Sequence, residues 1–206
     1  GNDTIQTLSN NINQFIIEHP TEIVLIETGS LDGYQVNNEK LDGLLNIFKS
    51  TFKDLLYPRP NTSNIIFPTY GDMISQNKRV IVSIPNNIVY DDGNENIWYG
   101  NMYQNTYANS DNITYMMEFN DKQVNIFNNN ETNPNALFKI SWTLTPQTDT
   151  VLKMELPDHP HNLIELAQIA NKEMQNWTSM QFQNNLKIGN IFLYDDYTTS
   201  PTQYIL

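Results

Sequence analysis

The sequence predicts an α/β protein built on parallel strands, and three observations predict it. Its strand candidates, such as residues 22–27 (EIVLIE) and 79–84 (RVIVSI), are short apolar runs without polar alternation, as strands covered on both faces require. Segments with helical apolar spacing separate them. The chain also opens on a helix and carries no repeat of fixed period. Alternation of this kind is the pattern of right-handed crossovers between parallel strands. Five strands are counted along the chain. Periodicity alone leaves two architectures open, a doubly wound sheet or five-eighths of an eight-stranded barrel. In both, ligands sit at the C-terminal ends of the strands.

Ile5, Leu8, Ile12, Phe15 and Ile16 recur at helical spacing behind an Asp3 or Thr4 cap. His19-Pro20 ends that helix, because proline disfavours helical geometry in its predecessor. The strand at 22–27 follows. Residues 38–56 carry a second helical pattern through Leu41, Leu44, Leu45, Phe48 and Phe52, closed by Pro58 and Pro60. A short helix at 69–74 leads into the strand at 79–84. After an Asn/Asp/Gly-rich loop at 86–96 come a strand at 97–103 and a helix at 111–127. A turn-rich insertion at 128–135 precedes a strand at 137–143 (LFKISWT), a long helix at 161–182 and a last strand at 187–194 (KIGNIFLY).

Composition narrows the function. At 206 residues with 39% apolar content, the chain is expected to form a single domain over 1–206 with a real core. A net charge of -12 with only 11 Lys and Arg, scattered along the chain, excludes a phosphate-binding nucleic-acid surface. It also disfavours docking on strongly anionic lipid. With no cysteine there is no disulfide scaffold, thiolate zinc site or thiol nucleophile. No apolar run approaches the about 18–20 residues of a transmembrane helix. Sequons at Asn2, Asn61, Asn112, Asn130 and Asn176 invite a secreted reading, but Asn, Ser and Thr are abundant enough to produce them by chance. Gly-rich phosphate loops, G-x-S-x-G elbows and H-E-x-x-H pairs are missing from the sequence.

Four blocks carry a resemblance: residues 13–27 (NQFIIEHPTEIVLIE), 68–82 (PTYGDMISQNKRVIV), 137–146 (LFKISWTLTP) and the helix from Asn162 to Trp177. In order and spacing they are similar to the later part of phosphatidylinositol-specific phospholipase C X-type domains. The resemblance implies a TIM-barrel-type fold of which this chain is the C-terminal portion. It implies cleavage of the phosphodiester of a phospholipid or inositol substrate, with one histidine as general base on the inositol 2-hydroxyl and another as general acid on the leaving oxygen. Both come from the first strands of such a barrel, and His19, His159 and His161 align with neither. An N-terminal fragment of the same barrel is therefore the expected partner. The runner-up expectation is a non-catalytic barrel that binds or scaffolds.

The same resemblance assigns residues at strand ends. Glu27 closes the first strand, where calcium-dependent relatives carry a metal-ligating glutamate, so calcium is the expected cofactor and Glu27 its ligand. Asn105-x-Tyr107 resembles the Asp-x-Tyr with which bacterial relatives hold inositol, keeping an acceptor and losing the charge. Trp142, with Thr143 after it, is expected to line the substrate pocket, although a tryptophan there also fits the core. Ser83, Ile84 and Pro85 stand where relatives place a basic residue, which departs from phosphoinositide specificity. Asp195 and Asp196 follow the last strand, as site residues or as an acidic turn.

Overall fold

In a computed structural model the described residues are 4–29, 38–60, 67–84, 95–99, 102–134 and 136–196. They fall into two compact units, residues 1–102 and 103–206.

In the first unit, helix α1 (Ile5–Glu18) starts where the Thr4 side chain accepts the Thr7 N–H at 3.1 Å. It stops because Pro20 has no N–H to give the Ile16 carbonyl. That carbonyl accepts instead from the buried Arg79 guanidinium at 2.7 Å, which also reaches the carbonyls of His19 and Glu22. His19 is thus a structural turn residue, its ring lying on Phe15. Strand β1 (Val24–Glu27) and helix α2 (Asn38–Phe52) follow, and a 3-10 turn (Lys53–Leu55) tightens the end of α2. Helix α3 (Tyr70–Ser75) opens on a reciprocal cap between Thr69 and Asp72, then leads into strand β2 (Val80–Ile84) and strand β3 (Ile97–Tyr99). The three strands form one parallel sheet in the order β1-β2-β3. Every β2 residue is buried. Alternation sends Val80, Val82 and Ile84 into a core with Ile16, Leu41, Leu45, Phe48 and Phe52, and puts Ile81 and Ser83 on the other face.

In the second unit, strand β4 (Tyr103–Thr106), helix α4 (Ile113–Asn128), strand β5 (Leu137–Trp142), helix α5 (Thr148–Lys153), helix α6 (Leu163–Gln183) and strand β6 (Ile191–Tyr194) build a parallel sheet in the order β4-β5-β6. Its core joins Phe138, Ile140 and Trp142 of β5 to Met116 and Val124 of α4 and to Leu166, Ala170, Met174 and Trp177 of α6. Trp142, Trp177 and Phe192 form an aromatic cluster, with 4.8 Å between the two indole centroids. Gly189 precedes β6 with φ +149, and a Cβ there would stand 3.2 Å from the Phe138 carbonyl oxygen. Gly189→Ala is therefore expected to cost about 1–3 kcal/mol, read as a lowered urea midpoint. An unchanged midpoint would show that β6 enters the sheet with room to spare.

The expectation of five strands is corrected to six, because the run at 97–103 is not one strand. It ends as β3 beside β2 and resumes as β4 beside β5. Between them lies Met102, buried, whose N–H goes to the Glu27 carboxylate rather than into a ladder. Apolar pattern reports burial and not the identity of the pairing strand, so a change of partner inside one apolar run left no mark. Helix α5 was not expected, since its only apolar residues, Val151 and Leu152, are adjacent and show no helical period. Among the described residues no helix is long and apolar enough to cross a membrane.

Candidate functional site at the strand ends

Parallel strands direct their C-terminal ends to one end of each sheet, which is where site residues were expected. In the first unit Glu27, Ser83 and Trp98 stand side by side across β1, β2 and β3. They share the face opposite the helix-side core. Glu27 is exposed, yet one carboxylate oxygen accepts the Met102 N–H at 3.1 Å. Ser83 is fully buried, and its carbonyl accepts both the N–H and the hydroxyl of Thr28. Trp98 is buried, with its indole N–H on the Tyr57 carbonyl at 3.0 Å. Pro85 lies outside the described residues.

Calcium needs roughly six to eight oxygen ligands. Among the described residues no group of three or more acidic or histidine side chains could hold a metal ion. Glu27 therefore fits calcium as a single ligand, and the described residues supply no set to complete it.

In the second unit a cleft of about 610 Å3 opens at the C-terminal ends of β5 and β6. Thr143 and Thr145 follow β5, Leu193 and Asp195 come from the end of β6, and Leu163 and Ile164 from the first turn of α6. Local sequence explains each wall. Asn162 caps α6 by accepting the Glu165 N–H at 2.9 Å, which sets the first turn of α6 against the cleft. Asp196 has φ +54, and Asn171 of α6 donates to the carbonyls of Asp195 and Asp196 at 2.9 and 3.4 Å. The turn after β6 is thereby pinned, and the Asp195 carboxylate is left at the cleft with no hydrogen bond among the described residues.

The other expected residues take different places. Asn105 lies in β4, in register with Lys139 of β5; its side chain is outside the described residues. Tyr107 follows β4 and is 51% exposed, free to meet a ligand. Trp142 is 0% exposed, and its N–H is given to the Ala170 carbonyl at 2.9 Å. Its ring packs against Trp177 and Phe192 and offers no face to solvent. His161 is tied by its Nδ1 to the Met154 carbonyl at 2.8 Å and stands between α5 and α6 with His159. The apolar walls Leu163 and Ile164 were not expected at a site. The signal was available: two large aliphatic residues directly follow a helix cap, where solvent exposure is normal.

No family model matches the sequence, and no curated protein matches it. A solved structure does: the phosphatidylinositol-specific phospholipase C from Listeria monocytogenes, at a TM-score of 0.60 over 94% of this chain. The chain has a phospholipase C-like fold. Identity to that enzyme is 18%, so the likeness is one of fold. The chain spans 66% of the Listeria enzyme, just under two thirds. Within the phospholipase C-like fold, the cleft and Glu27 occupy the strand ends at which ligands of such parallel α/β proteins bind.

Proposed function

We propose that this chain is the C-terminal portion of a TIM-barrel-type phospholipase C, a phosphodiesterase completed by a fragment that brings the two catalytic histidines. The observation that carries the reading is the fold match over 94% of this chain against 66% of the Listeria enzyme. In the reaction the inositol 2-hydroxyl oxygen bonds to phosphorus as the bond to the glycerol oxygen breaks. One histidine takes the hydroxyl proton and the other protonates the leaving oxygen. This chain supplies the surroundings. Asn171 holds the backbone carbonyl of Asp195, and the Asp195 carboxylate, without a hydrogen bond among the described residues, would accept from an incoming imidazole and fix its tautomer. Tyr107 and Asn105 are the residues to meet the inositol ring. Trp142 supports that wall from the core. In the first unit Glu27 ends β1 as the one candidate ligand for a bound calcium, an ion that would supply positive charge to a phosphate.

The test is hydrolysis of phosphatidylinositol in neutral mixed micelles. The chain alone is expected to give no turnover, the completed protein to give turnover, and Asp195→Asn in the completed protein to lose roughly 10²-fold in kcat with KM little changed. A completed protein that binds phosphatidylinositol without cleaving it would support the second reading, a non-catalytic barrel. That reading is favoured by Ser83 at a strand end where a basic residue is expected.

A further inference from the structure

We infer that Asn171, inside α6, is a positioning residue: it acts through the turn after β6 to set the Asp195 carboxylate for the proposed reaction. The inference deepens the proposed function, and it rests on that reading for the chemistry Asp195 performs. Asn171 is 6% exposed, and the buried residues on either side of it in α6, Ala167, Ala170 and Met174, are apolar. Its Nδ2 donates to the carbonyls of Asp195 and Asp196 at 2.9 and 3.4 Å. Its Oδ1 is buried without a hydrogen-bond partner among the described residues. A buried acceptor left unpaired is destabilising, and such groups are scarce enough in folded proteins to call for a reason. Alanine, favoured in a helix interior, would avoid that cost. What asparagine adds is its N–H groups, and the turn after β6 is what they hold. The same arrangement recurs at Asn120 of α4, whose Oδ1 is also buried and unpartnered and whose Nδ2 donates to the Ser141 carbonyl at 3.2 Å, one residue before the end of β5.

Asp196, with φ +54, is in the left-handed region that residues with a Cβ rarely adopt. Such a conformation persists where its surroundings determine it. Asn171 and, one turn earlier in α6, Gln168 supply those surroundings, for Gln168 donates to the Asp196 carboxylate at 3.5 Å. Positions 164, 167, 168 and 171 share one side of the helix. The stripe that forms the cleft wall with Ile164 and Ala167 therefore continues into the two amides. These amides separate two adjacent aspartates. Asp196 is drawn to α6 by its carbonyl and its carboxylate, whereas Asp195 is held by its carbonyl and keeps its carboxylate at the cleft. Released from Asn171, Asp196 is expected to leave the left-handed region, and the carboxylate before it to lose its fixed direction.

The experiment is a double-mutant cycle in the completed protein, with phosphatidylinositol in neutral mixed micelles as substrate. Asn171→Ala is expected to lower kcat roughly tenfold with KM little changed. The isosteric Asn171→Asp fills the same space without the donors and should lose at least as much, which separates the hydrogen bonds from packing. Because Asn171 acts through Asp195, Asn171→Ala combined with Asp195→Asn should be as slow as Asp195→Asn alone, within about threefold. Losses that multiply overturn the inference, and so does an Asn171→Asp protein as fast as its parent. Amide nitrogen relaxation in the same proteins reads the turn without catalysis. Asp195 and Asp196 should gain nanosecond motion in Asn171→Ala, and unchanged relaxation there also overturns the inference. If the turn loosens yet no completed protein, the parent included, hydrolyses phosphatidylinositol, the positioning of Asp195 stands and the phosphodiesterase reading falls. Hydrolysis with multiplying losses has the reverse meaning.

Discussion

Trp142→Ala is expected to lower the stability of the second unit by about 4 kcal/mol, among the largest effects of any single substitution in this chain. The indole is 0% exposed, lies 4.8 Å from Trp177 and 6.1 Å from Phe192 between ring centroids, and gives its N–H to the Ala170 carbonyl. Truncation removes the packing of a large ring and leaves a cavity among side chains fixed by α4 and α6. Trp142→Phe keeps most of the packing and loses the hydrogen bond, so it should cost about 1–2 kcal/mol. Urea unfolding followed by the far-ultraviolet signal reads both. The pair also decides between two roles for this residue. A pocket residue truncated to alanine would lose ligand affinity at little cost in stability; a core residue would show the reverse. If Trp142→Ala costs under about 1 kcal/mol while substrate binding falls, the ring belongs to the site after all.

Trp142 illustrates what was legible in the sequence. That residues 137–143 form a buried strand followed from an apolar run with no polar alternation, and β5 is found there. Which face of the strand its last residue takes depends on register against β6, where Trp142 pairs with Tyr194 on the helix side. Register is a tertiary property that no single run of residues encodes. Helices α1, α2, α4 and α6 were readable for the opposite reason, since each carries its own apolar period and, for α1, α4 and α6, a side-chain cap. Glu27 was reachable because a carboxylate ending an apolar strand is conspicuous. Its bond to the Met102 N–H was not, because the two residues are far apart in the chain and meet only when β1 and the stretch after β3 are in place. The cleft beside α6 was hidden likewise: Leu163 and Ile164 read as the start of an amphipathic helix until the turn after β6 is brought beside them.

Arg79→Met is expected to destabilise the first unit by about 3 kcal/mol, and the reason lies in a proline distant in sequence. An α-helix leaves its last carbonyls without intrahelical donors. In α1 the position that would serve Ile16 is Pro20, which has no N–H. Arg79, 4% exposed, reaches across from the start of β2 and donates to Ile16 at 2.7 Å and His19 at 2.9 Å, with Glu22 at 3.2 Å. One guanidinium thus satisfies the frayed end of a helix and the turn into β1. Methionine fills similar volume but donates nothing, so the loss is that of charge-assisted hydrogen bonds to buried carbonyls rather than of packing. Lysine carries the charge without the planar fork, and Arg79→Lys should recover only part of the loss. Because the partners are carbonyls and not carboxylates, added salt has little to screen. The Arg79→Met penalty, measured by urea unfolding with and without 1 M sodium chloride, should therefore stay the same within about 0.5 kcal/mol. A penalty that collapses in salt would mean that Arg79 acts through an acidic partner. In that event the link from Pro20 to Ile16 to Arg79 would not be what joins α1 to the sheet.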